Sequence, residues 1–103
     1  MGGRRHGQGI MYYSSGEKLY EGEFKNNRMH GTGIQYFHNG TRRYKGDFMG
    51  GRRHGQGIMY YSSGEKLYEG EFKNNRMHGT GIQYFHNGTR RYKGDFMGGR
   101  RHG

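Results

Sequence analysis

Five histidines occupy one repeated place in this chain: His6, His30, His54, His78 and His102, each 24 residues from the next. Imidazole is a common metal ligand, so the series invites a metal reading. If the intervening segments are hairpins, equivalent side chains sit two strands apart, about 9 to 10 Å. Each ligand of a zinc ion must come within ~2.1 Å of it, so no metal is expected and the histidines read as structural residues of hairpin tips. The steps Gly7-Gln8-Gly9 and Gly31-Thr32-Gly33, with their copies, superficially suggest a phosphate loop. Such a loop occurs once, between a strand and a helix whose amino terminus binds the anion, whereas these recur every 24 residues and no helical pattern follows them. Asn39-Gly40-Thr41 and Asn87-Gly88-Thr89 match the glycosylation sequon but read more simply as Asn-Gly turns. The acids are Glu17, Glu21, Glu23, Asp47 and their copies. A catalytic pair needs one carboxylate in an apolar pocket, and neither Ser14 nor Ser15 has a recognisable base, so no catalysis and no cofactor are expected.

The remaining chemistry is electrostatic. Arg4, Arg5, Arg28, Arg52, Arg53, Arg76, Arg100 and Arg101 recur in polar segments and are expected to form a ladder along one long edge. Arg42, Arg43, Lys66, Arg90 and Arg91 are expected to line the opposite edge. Eighteen Lys and Arg against eight Asp and Glu give a net charge of +10, with seven His in addition. A field of that sign favours acidic partners, whether anionic phospholipid, an acidic protein surface or a polyanion. The same charges would also solubilise the chain and discourage edge aggregation. Specific nucleic-acid binding is not expected, because a flat strand ladder offers no grooved single-strand path.

The elements that must position these residues follow from a 24-residue rhythm. Leu19-Tyr20-Glu21-Gly22-Glu23-Phe24-Lys25 alternates with period two, which predicts a half-buried strand with Tyr20, Gly22 and Phe24 on one face. Asn26 to Gly31, and Met49 to Gly55 in the next unit, are polar and end in glycine, as a hairpin tip does. Thr32 to Phe37 is a second strand, and His38-Asn39-Gly40-Thr41 or Ser62-Ser63-Gly64-Glu65 turns the chain back. Ile34 and Tyr36 have opposite parity to Gly33 and Phe37, so the more buried face stays open at this level. The expected fold is all-β: an antiparallel β-hairpin meander forming an elongated, twisted single sheet. Only 28% of residues are hydrophobic, 23 of 103 are glycine and none is proline. That composition excludes a large globular core and leaves every amide free to join a ladder. There is no cysteine, and no segment approaches the ~20 apolar residues of a membrane span. Any membrane contact is expected to be peripheral. No compartment follows; a natural protein of this kind is expected in the cytoplasm or at the cytoplasmic membrane face.

Residues 1–48 recur unchanged as 49–96, and 97–103 begin a third copy. Perfect identity over 48 residues favours an engineered duplication. Within each copy Tyr20, Gly22, Phe24, His30, Gly31 and Gly33 return as Tyr44, Gly46, Phe48, His54, Gly55 and Gly57. The series Tyr20-Glu21-Gly22-Glu23-Phe24-Lys25-Asn26 followed by His30-Gly31-Thr32-Gly33 resembles the MORN (membrane occupation and recognition nexus) repeat across the whole chain. Two departures are visible: Phe stands at 24, 48, 72 and 96 where Trp is commoner, and the period is 24 where about 23 is usual. The resemblance implies a single-sheet solenoid used for scaffolding, dimerisation or phospholipid contact. Full units are expected at 20–43, 44–67 and 68–91, with partial units at 1–19 and 92–103. The partial ends are complementary, so the chain is expected to pair head to tail with itself. Ile10 and Tyr12 stand on the first strand of that contact and Tyr92 and Phe96 on the last; closure into an eight-stranded barrel is the competing outcome.

Overall fold

The computed structural model describes residues 6–102, and within them the chain is one open antiparallel sheet. Its strands are β1 (Gly7–Tyr12), β2 (Lys18–Lys25), β3 (Arg28–Tyr36), β4 (Arg42–Met49), β5 (Arg52–Tyr60), β6 (Lys66–Lys73), β7 (Arg76–Tyr84), β8 (Arg90–Met97) and β9 (Arg100–His102). Each pairs only with its neighbours in sequence, so the sheet is a meander measuring 49 × 25 × 16 Å. The barrel alternative is excluded, because β1 pairs with β2 alone and β9 with β8 alone.

Strands run further toward the tips than the polar composition indicates. The tip contracts to two residues, Asn26–Asn27 or Gly50–Gly51, and β3 and β5 begin at Arg28 and Arg52. Both central residues carry positive φ: 52° and 68° at Asn26 and Asn27, 59° and 85° at Gly50 and Gly51. Such turns match the right-handed twist of the flanking strands, and asparagine tolerates them best after glycine. The repeated histidines therefore sit inside strands: His30, His54 and His78 belong to β3, β5 and β7.

A stripe of glycine crosses the sheet. Gly9, Gly22, Gly33, Gly46, Gly57, Gly70, Gly81 and Gly94 are consecutive cross-strand partners. Tyr20 lies over it so closely that a Cβ at Gly33 would stand 2.2 Å from its hydroxyl oxygen. Tyr44 and Tyr68 do the same at Gly57 and Gly81, both at 2.3 Å. The rings then interlock with phenylalanines edge to face: Tyr20 meets Phe24 at 5.0 Å and Phe48 at 5.1 Å, and Tyr44 meets Phe48 and Phe72, both at 5.0 Å. The zigzag continues through Tyr68 and Phe96 to Tyr92. This is the core, and it settles the face question: Tyr20, Phe24, Tyr44, Phe48, Tyr68, Phe72 and Phe96 are buried, whereas Ile34 and Tyr36 belong to the opposite face. Edge-to-face geometry at this spacing adds about 0.5–1.5 kcal/mol per pair beyond area burial. A one-layer sheet thereby gains a core without a second layer.

The motif His30-Gly31-Thr32-Gly33 has a topological reason. Opposite β2 the register jumps from Gly22↔Gly33 to Phe24↔Met29, leaving Glu23 to face His30, Gly31 and Thr32. Glu23 fills the bulge by accepting a hydrogen bond from the Thr32 amide at 3.2 Å. Asp47 and Glu71 accept likewise from Gln56 at 3.1 Å and Thr80 at 3.3 Å. Gly31 stands there at φ 71°, a left-handed conformation that favours glycine, and a Cβ would in addition push the Glu23 carboxylate, 2.6 Å away, out of place.

Candidate anion-binding edge

The tips form one long edge and are tied to each other: the Gly51 amide donates to the Met29 carbonyl at 2.9 Å, Asn75 to Arg53 at 3.0 Å and Gly99 to Met77 at 3.0 Å. Between them lie open clefts. One is bounded by Lys25, Asn26, Asn27, Arg28, His30, Met49 and Gly50 and encloses about 620 Å³. The second, about 450 Å³, is bounded by Arg52, Lys73, Asn74, Arg76, His78, Met97 and Gly98. Lys25 pairs with Arg28 and Lys73 with Arg76 directly across the tip, which places two cations side by side. Among the described residues no ion pair involves Lys25, Arg28, Arg52, Lys73, Arg76 or Arg100; the acids within ion-pair distance of a basic group, Glu21, Glu69 and Glu65, face Lys18, Lys66 and His86, toward the far edge. Met49 and Met97 are 56% exposed at the cleft rims. The arrangement offers ammonium, guanidinium and imidazole N–H groups to one anionic group, with an apolar side chain beside it.

The expected arginine ladder is thus only partly a ladder. Arg28, Arg52, Arg76 and Arg100 are exposed on the tip edge, and Arg4 and Arg5 lie outside the described residues. Arg53 points elsewhere. In register opposite Phe48 it joins the ring face, where its guanidinium lies 5.3 Å from the Tyr44 centroid and its Nε donates to Gln35 Oε1 at 2.9 Å. Burial, and secondly Arg43, hold its pKa below the usual value. Arg101 covers Tyr92 in the same way at 5.7 Å. The parity that separates Arg52 from Arg53 is visible in the sequence only once the strand is known to start at the tip. The clefts recur with the Asn-Asn tips, four strands or roughly 19 Å apart.

The opposite edge is built from turns, stacked rings and cations. Tyr13 stacks on His38 and Tyr61 on His86, each at 3.7 Å, and their hydroxyls donate to the Tyr36 and Tyr84 carbonyls. Arg43 and Arg91 cover Phe37 and Phe85. Asn39 works as a turn residue, its Oδ1 accepting from the Thr41 amide at 3.0 Å and its Nδ2 donating to the Ser62 carbonyl at 3.1 Å. Among the described residues no three His, Asp or Glu side chains gather to hold a metal ion. Of the residues expected at a head-to-tail contact, Ile10 and Tyr12 are 40% and 57% exposed on β1; Tyr92 and Phe96 face the rings on β8, with Phe96 buried.

A single-layer β-hairpin array with a tyrosine-phenylalanine zigzag over glycine defines a tandem-repeat protein of open-sheet type. The MORN repeat model matches residues 1–18, 20–42, 44–66, 68–90 and 92–103, and the chain belongs to the MORN repeat family. No curated protein matches it. Members of the family are generally non-enzymatic and serve as repeat-based interaction modules.

Proposed function

We propose that this chain is a non-enzymatic interaction scaffold that docks its tip edge onto anionic phospholipid. The observation that carries this reading is the pair of clefts in which Lys25, Arg28 and His30, or Lys73, Arg76 and His78, converge without carboxylates and beside an exposed methionine. Headgroup phosphates satisfy the cations while the methionines enter the interface. At ~1 kcal/mol for each cation near an anionic surface, reversing Lys25, Arg28, Lys73 and Arg76 to Glu lowers liposome association by about a thousandfold or more, and about 0.5 M salt weakens the parent strongly. Sedimentation with vesicles rich in phosphatidylserine, beside neutral vesicles, reads both effects. Equal association of parent and variant refutes it.

A second reading, favoured by an outer edge of β1 that no strand among the described residues pairs, is that the scaffold extends by pairing strands with further copies of itself. The identical 48-residue halves suit an engineered duplication of such a scaffold.

A further inference from the structure

We propose that two copies join in one register, with Gly9 of the incoming copy seated under Tyr92 of the copy before it. This rests on the strand-pairing reading above and specifies its contact. Each glycine of the central stripe on the second strand of an interior hairpin lies under a tyrosine of the strand directly before it: a Cβ would meet Tyr20 at Gly33, Tyr44 at Gly57 and Tyr68 at Gly81, all within 2.3 Å. Gly9 occupies the same repeat position, yet the nearest atom to its Cβ is Phe24 Cε1 at 3.1 Å. It is a socket without its ring.

Tyr92 is the matching ring. Tyr20, Tyr44 and Tyr68 are fully buried and each meets two phenylalanines, whereas Tyr92 is partly exposed and meets Phe96 alone at 5.2 Å. Its hydroxyl donates to the Asp95 carbonyl at 3.1 Å, longer than the 2.7 to 2.8 Å of its three counterparts. The next strand's glycine is missing at this level: among the three atoms nearest a Cβ at Gly22, Gly46 or Gly70 is that glycine's Cα, but at Gly94 all three belong to Tyr92, whose hydroxyl also reaches the His102 carbonyl of β9 at 3.2 Å.

The chain's own repeat dictates how these fit. β4 pairs with β5 as Tyr44↔Met59, Lys45↔Ile58 and Gly46↔Gly57. Moved forward one 48-residue period, the partners of β8 are Tyr92↔Met11, Lys93↔Ile10 and Gly94↔Gly9, with Met11, Ile10 and Gly9 supplied by the second copy. The same movement brings that copy's Phe24 to the place from which Phe48, Phe72 and Phe96 meet the preceding tyrosine. Residues 1–7 and 97–103 are the same seven amino acids, MGGRRHG, so one set takes the shared tip and the other is displaced. The contact is heterologous and propagates. A further unit of the same polypeptide would fill the edge first, so the 103-residue chain is the species to test.

Paired positions in such a ladder bring Cα atoms to about 4.5–5.5 Å, within disulfide reach. In the chain carrying Ile10→Cys and Lys93→Cys, mild oxidation gives a ladder of covalent multimers on denaturing gels. Gln8→Cys with Lys93→Cys lies one diagonal away, about 7–8 Å, and gives none. Gly9→Ala in the first background removes the ladder while circular dichroism stays that of the parent; Tyr92→Leu repeats the test from the other side should Gly9→Ala unfold. Multimers seen by light scattering without the Ile10–Lys93 link overturn the interlock and leave strand pairing standing. A 12 kDa monomer at every concentration, with no link, overturns both.

Discussion

Replacing Gly33 with Ala tests whether the tyrosine-over-glycine contact is the unit of stability. The new methyl would stand 2.2 Å from Tyr20 Oη and 2.5 Å from Cε1 and Cζ, so the ring must leave its place. Displacement breaks the hydrogen bond from Tyr20 to the Glu23 carbonyl, 2.7 Å long, which contributes about 1 kcal/mol net. It also breaks the edge-to-face contacts with Phe24 and Phe48, each about 1 kcal/mol. Against this, alanine lowers the entropy of the unfolded chain and recovers about 0.4–1 kcal/mol. The expected net loss is about 2–3 kcal/mol, read from urea unfolding followed by circular dichroism. The decisive comparison is a double-mutant cycle with Tyr20→Ala: the three atoms nearest the new methyl all belong to the Tyr20 side chain, so once that ring is gone Gly33→Ala should cost little or stabilise. Additive losses, or a single-mutant cost below about 0.5 kcal/mol, refute the reasoning.

Alkali should unfold the protein early. Burial pushes Tyr20 and Tyr68 up to about 12 and Tyr44 higher still, whereas the unfolded phenol ionises near 10. The folded state then holds protons that the unfolded chain releases, so stability is intact below about pH 10 and falls as pH rises toward 12; a flat unfolding midpoint over that window contradicts it. Converting Asn26 and Asn27 to Gly-Gly, as at Gly50 and Gly51, should change stability little, while Ala-Ala at those positive-φ sites should cost about 1–2 kcal/mol per residue in the same urea assay. Arg53→Ala should cost about 1–2 kcal/mol through lost contact with Tyr44 and Gln35, whereas Arg52→Ala on the exposed edge should stay within about 0.5 kcal/mol; equal effects at the two neighbours would refute their assignment to opposite faces.

The repeat, the hairpin meander and the strand carrying Tyr20, Gly22 and Phe24 are legible in the sequence because each is local: period-two alternation, glycine-bearing turns and self-similarity all lie within a few residues. The extent of the tips is less legible. Arg28, Met29 and His30 look like turn residues by composition, yet the two-residue Asn-Asn turn and the bulge over Glu23 draw them into β3. That shift fixes parity at the tip: Arg52 is exposed on the edge, whereas Arg53 lies over the Tyr44 ring, a separation that tip composition does not reveal. The core face was not legible either, because Ile34 and Tyr36 are as apolar as Tyr20 and Phe24. What decides between them is the glycine stripe, which becomes a stripe only through cross-strand register. The Glu23 and Asp47 carboxylates read as solvated charges, and their hydrogen bonds to amides nine residues away are tertiary facts.

The ring zigzag also determines how stability grows with size. Tyr20, Tyr44 and Tyr68 each touch the phenylalanine of their own strand and that of the strand two further on, and the zigzag makes no ring contact more distant. Unfolding therefore behaves as a one-dimensional chain of identical elements with nearest-neighbour coupling. Each additional 48 residues contributes the same increment of free energy, while the two extremities carry a constant penalty independent of length. Melting then proceeds inward from the extremities, and a plot of unfolding free energy against the number of units is a straight line whose slope is the worth of one link and whose intercept is the cost of having ends.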